Sequence, residues 1–275
     1  MAVKLMDLIG LIETMAPLNL KEAWDNPGLA VGDPSQMIER VLVGMDVTLE
    51  LLQEAETVGA QLVLTHHPLL FQRPDSITPQ TLAGRKILEL VRSGRSAYSA
   101  HTNLDVAKEG MNDRLMQLLG FTDWKILSSA DGVTGIGRIC DVEGLTLGEL
   151  SLRAARALDL SSVRTCGDPS ARIRRVAVIN GSGADMIQEA AAQAADCVIT
   201  ADTKYHEVLD AAEAGIAIID PGHFASEWKV FQLIMQDVAQ HAQQELGNVE
   251  FIISRTARDP YRTISAGVEP EMAEG

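Results

Sequence analysis

The sequence predicts an α/β fold in two lobes, and three observations predict it. Short β-branched runs alternate with stretches of helical periodicity, one strand–helix–strand segment recurs without a gap, and histidines gather just past predicted strand ends. The length agrees: 275 residues is long for one core and suits two lobes of ~130 residues. The expected division is 1–127 for the first α/β lobe and 128–275 for the second, with Ser128-Ser129-Ala130-Asp131-Gly132 as connector.

The elements follow in chain order. A first helix is predicted around Lys4–Met15. Arg40–Thr65 reads as strand, amphipathic helix and second apolar strand, and Arg175–Thr200 repeats that pattern in register. Identical pairs include Arg40/Arg175, Val41/Val176, Val43/Val178, Gln53/Gln188, Glu54/Glu189, Ala60/Ala195 and Thr65/Thr200. Each copy continues with a helix and a strand: Thr81–Ser93 then Ser96–Ala100, and Val208–Ala214 then Ile216–Asp220. A long helix is expected from about Ser226 to Leu246, with Trp228, Phe231, Ile234 or Met235, and Val238 on one face. The tail after about Ser265 is polar and expected to fray.

Composition narrows the function. The 38 acidic residues outnumber 23 basic ones, for a formal charge of −15, which repels phosphate backbones and anionic lipid at long range. A nucleic-acid or membrane-surface protein is therefore not expected. The three cysteines, Cys140, Cys166 and Cys197, lie far apart without CxxC spacing, which fits reduced thiols in a cytoplasmic protein and gives no support to cysteine-based metal binding. The first residues carry Asp7 where a signal peptide needs an apolar run, and no apolar stretch approaches the ~18 residues that span a bilayer.

Five of the six histidines sit beyond a predicted strand end: His66, His67, His101, His206 and His223, with His241 late in a helix as the exception. In α/β sheets that edge is where ligands bind. His101/Asp105 and His223/Glu227 are both spaced four apart, so each half offers a histidine and a carboxylate that a helical turn can aim at one point. Imidazole and carboxylate donors suit Zn, Fe, Mn, Co or Ni. Adjacent histidines in extended backbone point in opposite directions, which suits two ions, and Pro68 keeps His67 extended. A carboxylate such as Glu227 can span ions ~3.5–4 Å apart.

Glu22-Ala23-Trp24-Asp25-Asn26-Pro27-Gly28-Leu29, Leu64–Leu69 with its His66-His67-Pro68, Ser99–Asp105, Thr200–His206 and Asp220–Glu227 together resemble the Nif-three-like family. Its members are catalogued as GTP cyclohydrolase 1 type 2 homologs and dinuclear metal-centre proteins. The stretches run from residue 22 to 227, and the chain looks like the short form without a middle insertion. It departs from the family at Ala201, usually Gly, and at Pro27, commonly Val.

The resemblance implies two intertwined α/β repeats with mixed sheets, a metal-binding cleft between them, and a homohexameric ring. It implies two divalent metal ions per chain on His66, His67, Asp105, His223 and Glu227. One would take His67, Asp105 and Glu227, the other His66, His223 and Glu227, with Glu227 bridging. His101 and His206 become near neighbours of the centre and the candidate catalytic residues, His101 as proton shuttle or anchor of a ligand. Lys204 and Tyr205 share the loop of His206, while Trp24 and Asn26 are expected to shape the fold near the cleft. The expected activity is a two-metal hydrolase acting on an unknown small molecule; the alternative is a non-catalytic metal-holding or partner-binding regulatory ring. No P-loop, glycine-rich phosphate cradle or basic cluster for a triphosphate is visible in the sequence.

Overall fold

The computed structural model describes residues 2–264, so the tail expected to fray lies outside the described residues. A two-residue strand β1 (Val3–Lys4) leads into helix α1 (Leu5–Met15). Strands β2 (Gly28–Val31), β3 (Met37–Ile38) and β4 (Arg40–Gly44) follow. Then come α2 (Leu49–Val58), β5 (Leu62–Thr65), α3 (Leu82–Ser93) and β6 (Ser96–Ser99). Two short helices, α4 (Thr102–Val106) and α5 (Met111–Leu118), lead to the antiparallel strands β7 (Lys125–Ser128) and β8 (Ile136–Thr146). After α6 (Leu147–Ala157) and β9 (Arg164–Cys166), the second copy of the repeat runs β10 (Arg172–Ser182), α7 (Ile187–Ala192), β11 (Cys197–Ala201), α8 (Tyr205–Glu213) and β12 (Ala217–Asp220). The last described elements are α9 (His223–Glu245) and β13 (Glu250–Ile253).

Among the described residues, β1 and β3 pair as a two-stranded antiparallel ribbon and two mixed sheets form the body of the fold. The first has the order β13-β4-β5-β6-β2 and the second β7-β8-β10-β11-β12-β9. Within each, the repeat supplies three parallel strands, β4-β5-β6 and β10-β11-β12, and an antiparallel strand closes an edge. The two copies agree down to their hydrogen bonds. Arg40 Nη1 donates to Val58 O at 2.9 Å and Arg175 Nη1 to Gln193 O at 3.0 Å, each fastening a strand to the end of the following helix. Gln61 Oε1 accepts from Glu39 N and Arg40 N, as Asp196 Oδ2 does from Arg174 N and Arg175 N.

Local chemistry sets the helix ends. Thr48 and Thr81 accept from Leu51 N and Gly84 N at the starts of α2 and α3. Gly59 and Gly94 close the same helices in the left-handed conformation, which costs a glycine nothing sterically. Thr146 and Glu149 form a reciprocal capping box on α6.

Strand alternation sorts the core into layers. Val41, Val43, Leu62, Leu64 and Tyr98 face a central core shared with Val176, Val178, Cys197, Ile199 and Ile219 of the second sheet, and α1, α5 and α9 fill that layer. The alternate residues of the same strands face outwards. Leu42, Val63 and Ala97 pack on α2 and α3, while Ala177, Ile179, Val198 and Ile218 pack on α7 and α8. Helix α9 has 23 residues, about 34 Å of rise, and buries Val230, Phe231, Ile234, Met235 and Val238.

The elements depart from the sequence expectations in places. Helices α8 and α9 begin three residues earlier than expected, at Tyr205 and His223, so the stretches read as loops are first helical turns. The connector at 128–132 joins β7 to β8 within one sheet. A division at 127/128 leaves β13 in the sheet of the first half, since Glu250–Ile253 pairs in parallel with Arg40–Val43. Among the described residues no helix is long and apolar enough to cross a membrane.

One buried ion pair underlies the region that carries Asp105. Arg138, 1% exposed, pairs with Asp113 of α5, which also accepts from Trp124 Nε1 at 2.8 Å. Next to it on α5, Asn112 Nδ2 donates to Asp105 O at 3.0 Å. Asp113→Ala leaves the guanidinium buried without its counter-charge, and the expected cost is about 3–5 kcal/mol, read by urea denaturation. A loss below about 1 kcal/mol would show that the pair contributes no more than a surface bridge does.

Candidate metal centre

The carboxyl ends of the parallel strands of both sheets meet at one cleft. His66 and His67 follow β5, His101 is the residue before α4, and Asp105 lies on that helix. Asn180 and Gly181 lie near the end of β10. His223 is the first residue of α9 and Glu227 lies one turn on. The structure thus brings His66, His67, His101, Asp105, His223 and Glu227 together from both halves of the chain.

Glu227 is 3% exposed and its two carboxylate oxygens face different partners. Oε2 lies 3.1 Å from His67 Nε2 and 2.9 Å from His223 Nε2, and these two nitrogens are 3.1 Å apart. Oε1 lies 3.7 Å from His66 Nε2, which is 3.6 Å from Asp105 Oδ1. The two donor sets are therefore His67, His223 and Glu227 on one side and His66, Asp105 and Glu227 on the other. The resemblance implied another division, with His67 beside Asp105 and His66 beside His223, whereas here His67 stands with His223 and His66 with Asp105. The reason is the extended backbone, which sends His66 into the interior at 0% exposure and His67 towards the open side with His223.

Each ring is fixed through Nδ1. His66 Nδ1 donates to Ala100 O at 2.7 Å, His67 to Asp46 at 2.8 Å, His223 to Asp202 at 2.8 Å and His101 to Asp25 at 2.9 Å. A carbonyl or carboxylate only accepts, so a proton sits on Nδ1 and Nε2 is the atom left to take a second proton or a cation. Such outer partners orient metal-ligating histidines in general. Asp25 is itself held by Thr102, whose N–H and hydroxyl both donate to it. Asn180 Nδ2 donates to Asp105 Oδ1 at 2.8 Å and Glu227 Oε1 at 3.3 Å, keeping both acids aimed inwards.

The residues fit a cation on two counts. His66 Nε2 is buried with no hydrogen-bond partner among the described residues, although a buried polar atom ordinarily has one. On the other side, two imidazole nitrogens and a carboxylate oxygen stand about 3 Å apart, close to the ~3.3 Å edge of a tetrahedron with 2.0–2.1 Å bonds. Three lone-pair atoms so close repel one another unless a proton or a metal ion lies between them, so the spacing fits a shared cation. His67, His223 and Glu227 form a group of close ligand atoms, and so do His66, His67 and His101, which makes His101 a further possible donor.

The electrostatics point the same way. Burial opposes charge on His67 and His223, but hydrogen bonds from His67 to Asp46 and Glu227 and from His223 to Glu227 outweigh it, raising them to about 10 and about 9. Burial likewise opposes charge on His66, yet the Asp105 and Glu227 carboxylates raise its pKa. Burial pushes Asp105 up, whereas Glu227 is held well below its ordinary value, against its own burial, by the surrounding histidines. Asp25 is lowered to about 2, its burial outweighed by bonds from His101 and Thr102. The cluster attracts positive charge.

Asp25, Asp46, Asn180, Gly181 and Asp202 were not singled out as site residues from sequence. The repeat carried one signal: in its register His67 corresponds to Asp202, so the second copy keeps the edge position but supplies a hydrogen-bond acceptor for His223. His206 is not brought to the centre. It lies exposed on α8 beside the ring of Tyr205 and does not line the cavity at the histidines. Lys204 is also exposed, paired with Glu207 at 3.1 Å. The cavity, about 510 Å³, is lined by Trp24, Asp46, Pro68, Phe71, Ile136, Ile179 and Ser182 besides the residues of the cluster.

The family model Duf34/NIF3 (NGG1p interacting factor 3) matches residues 3–260. A Clostridium perfringens protein named GTP cyclohydrolase 1 type 2 homolog is 43% identical over 264 residues, 95% of this chain and 100% of its own. One of the same name from Clostridium acetobutylicum is 40% identical over 267 residues, 95% of this chain and 99% of its own. Among solved structures, a Bacillus cereus protein related to NIF3 superposes with a TM-score of 0.88 at 24% identity over 95% of this chain and 99% of its own. Reduced HcgD from Methanocaldococcus jannaschii gives 0.79 at 28% identity over 92% and 98%.

Proposed function

The chain belongs to the Duf34/NIF3 family, and from that premise we propose that it is a dinuclear metal protein hydrolysing a small molecule. The observation that supports this reading is Glu227, whose two oxygens serve two separate sets of donor atoms. His67 and His223 with Oε2 would hold one cation, and His66 and Asp105 with Oε1 the other. Four carboxylates belong to these residues or are bonded to them: Asp46, Asp105, Asp202 and Glu227. When ionised they balance the charge of two divalent ions. Two such ions lower the pKa of water towards neutrality and polarise a bond under attack.

The chain's own residues contribute position and proton handling. Asn180 and the four Nδ1 anchors hold the donors in place before any ligand arrives. His101, with Nδ1 committed to Asp25, presents Nε2 as the atom that takes up or releases a proton at the cavity wall. The exposed His206 stands outside the cavity wall.

The test is metal per chain by elemental analysis, on protein purified without a metal-affinity tag, followed by a screen of small ester and cyclic-amide substrates. Near two ions with turnover supports the reading. Two ions without turnover makes the chain a metal-holding protein, and none, even after adding Mn, Zn or Fe, ends the dinuclear reading. Asp202→Ala removes the acceptor that orients His223 and is expected to weaken the more easily lost ion about 10- to 100-fold in a chelator titration.

A further inference from the structure

We propose that Trp24 and Phe71 form a stacking subsite for an uncharged planar heteroaromatic ligand of about nucleoside size, a proposal that rests on reading the metal cavity as a substrate site. Both line the cavity and remain 61% and 56% exposed, an unusual state for two large aromatic rings side by side. They meet at 5.7 Å with planes 60° apart, and each meets the His101 ring at 6.2 Å, with planes at 77° and 75°. All three contacts are edge-on. None of these rings stacks in parallel on another, and the exposed parts of Trp24 and Phe71 leave flat apolar surface open beside the donor atoms.

The two aromatic loops are held rather than loose. Asn26 Nδ2 donates to Leu70 O at 2.9 Å, tying the loop of Trp24 to that of Phe71. Glu22 N donates to Thr102 Oγ1 at 3.0 Å, and Asp25 binds His101 and Thr102, so the Trp24 loop is fastened on both sides of the ring. Fastening exposed rings next to a polar centre prepares a binding surface, because the cost of ordering them falls on folding and not on the ligand. The cavity volume of about 510 Å³ suits a small molecule.

Charge selects the ligand class. Among the described residues no lysine or arginine lines the cavity, while Asp46, Asp105 and Glu227 do, so the side chains there offer an anion no counter-charge. A triphosphate finds no side-chain cation there. A neutral ring finds aromatic faces together with Ile136 and Ile179.

The full chain, as purified and after chelation, is titrated by calorimetry with guanosine and with GTP. Guanosine is expected to saturate one site per chain in both states, and GTP to bind more weakly than guanosine after chelation. Trp24→Ala and Phe71→Ala should each weaken guanosine about tenfold, and Trp24→Phe should stay within a few-fold of wild type. Metal per chain is measured on every variant and should not change. No saturable guanosine binding, unaltered affinity in both alanine variants, or GTP outcompeting guanosine after chelation overturns the proposal. Guanosine bound by a chain that takes up no metal leaves the stacking subsite standing and removes the hydrolase reading.

Discussion

Glu227→Gln is expected to lower the metal content from near two ions per chain to below one. The exchange keeps the shape of a side chain that is 3% exposed and lies on a helix buried along one face, so the fold should survive. What it removes is charge and one acceptor. The amide can turn its oxygen to His67 and His223 or to His66 and Asp105, and the other set then meets an N–H₂ group with no lone pair. A terminal ligand such as His66 serves one set alone, so His66→Ala should spare more metal than Glu227→Gln. Elemental analysis of both variants beside wild type decides it. If Glu227→Gln retains two ions, the carboxylate does not bridge and the two sets are independent or imaginary.

Gly181→Ala should have a comparable effect from outside the ligand set. Gly181 is left-handed at φ +56°, and a Cβ there would lie 2.0 Å from Glu227 Oε1 and 2.9 Å from its carboxyl carbon. Glu227 has little room to retreat, because Gly181 N also bonds Ser226 Oγ and α9 is packed into the central core. The left-handed backbone costs about 1–2 kcal/mol for alanine, and overpacking typically adds about 1–3. The expected outcome is a lowered denaturation midpoint together with lost metal. Gly94→Ala is the control: φ is +66° and nothing lies near the added carbon, so it bears the backbone cost alone and should leave metal content untouched. Equal metal in both variants would show that the neighbourhood of Glu227 yields more than its packing suggests.

Much of this architecture was legible in the sequence where one residue type had one physical job. The gapless match of Arg40–Thr65 with Arg175–Thr200 anticipated two parallel strand triplets, because strand–helix–strand units need the same apolar spacing to pack. The four-residue spacing of His223 and Glu227 anticipated one helical face, and the structure places both on α9. Less legible were partners drawn from a distance. Asp46 and His67 are 21 residues apart, as are Asp202 and His223, and only the folded sheet edge joins them. Asn180 bonds residues 75 and 47 positions away and looks in sequence like any strand-end asparagine. His206 shows the converse. It follows a strand as the others do, but α8 starts at Tyr205 and turns it to solvent.

The pairing of β13 with β4 has a consequence for how the protein is born. Arg40 and Glu250, joined at 2.9 Å on neighbouring strands, are separated by 210 residues. At about 5–20 residues per second, translation leaves the β4 edge without its neighbour for roughly 10–40 s. During that interval the first sheet presents a bare hydrogen-bonding rim, the kind of surface that recruits strands from other nascent chains. Closure comes only when the last strand has cleared the exit tunnel. The first sheet is completed only after every strand of the second has been made, and a chain truncated within α9 would carry one complete sheet and one with an open edge.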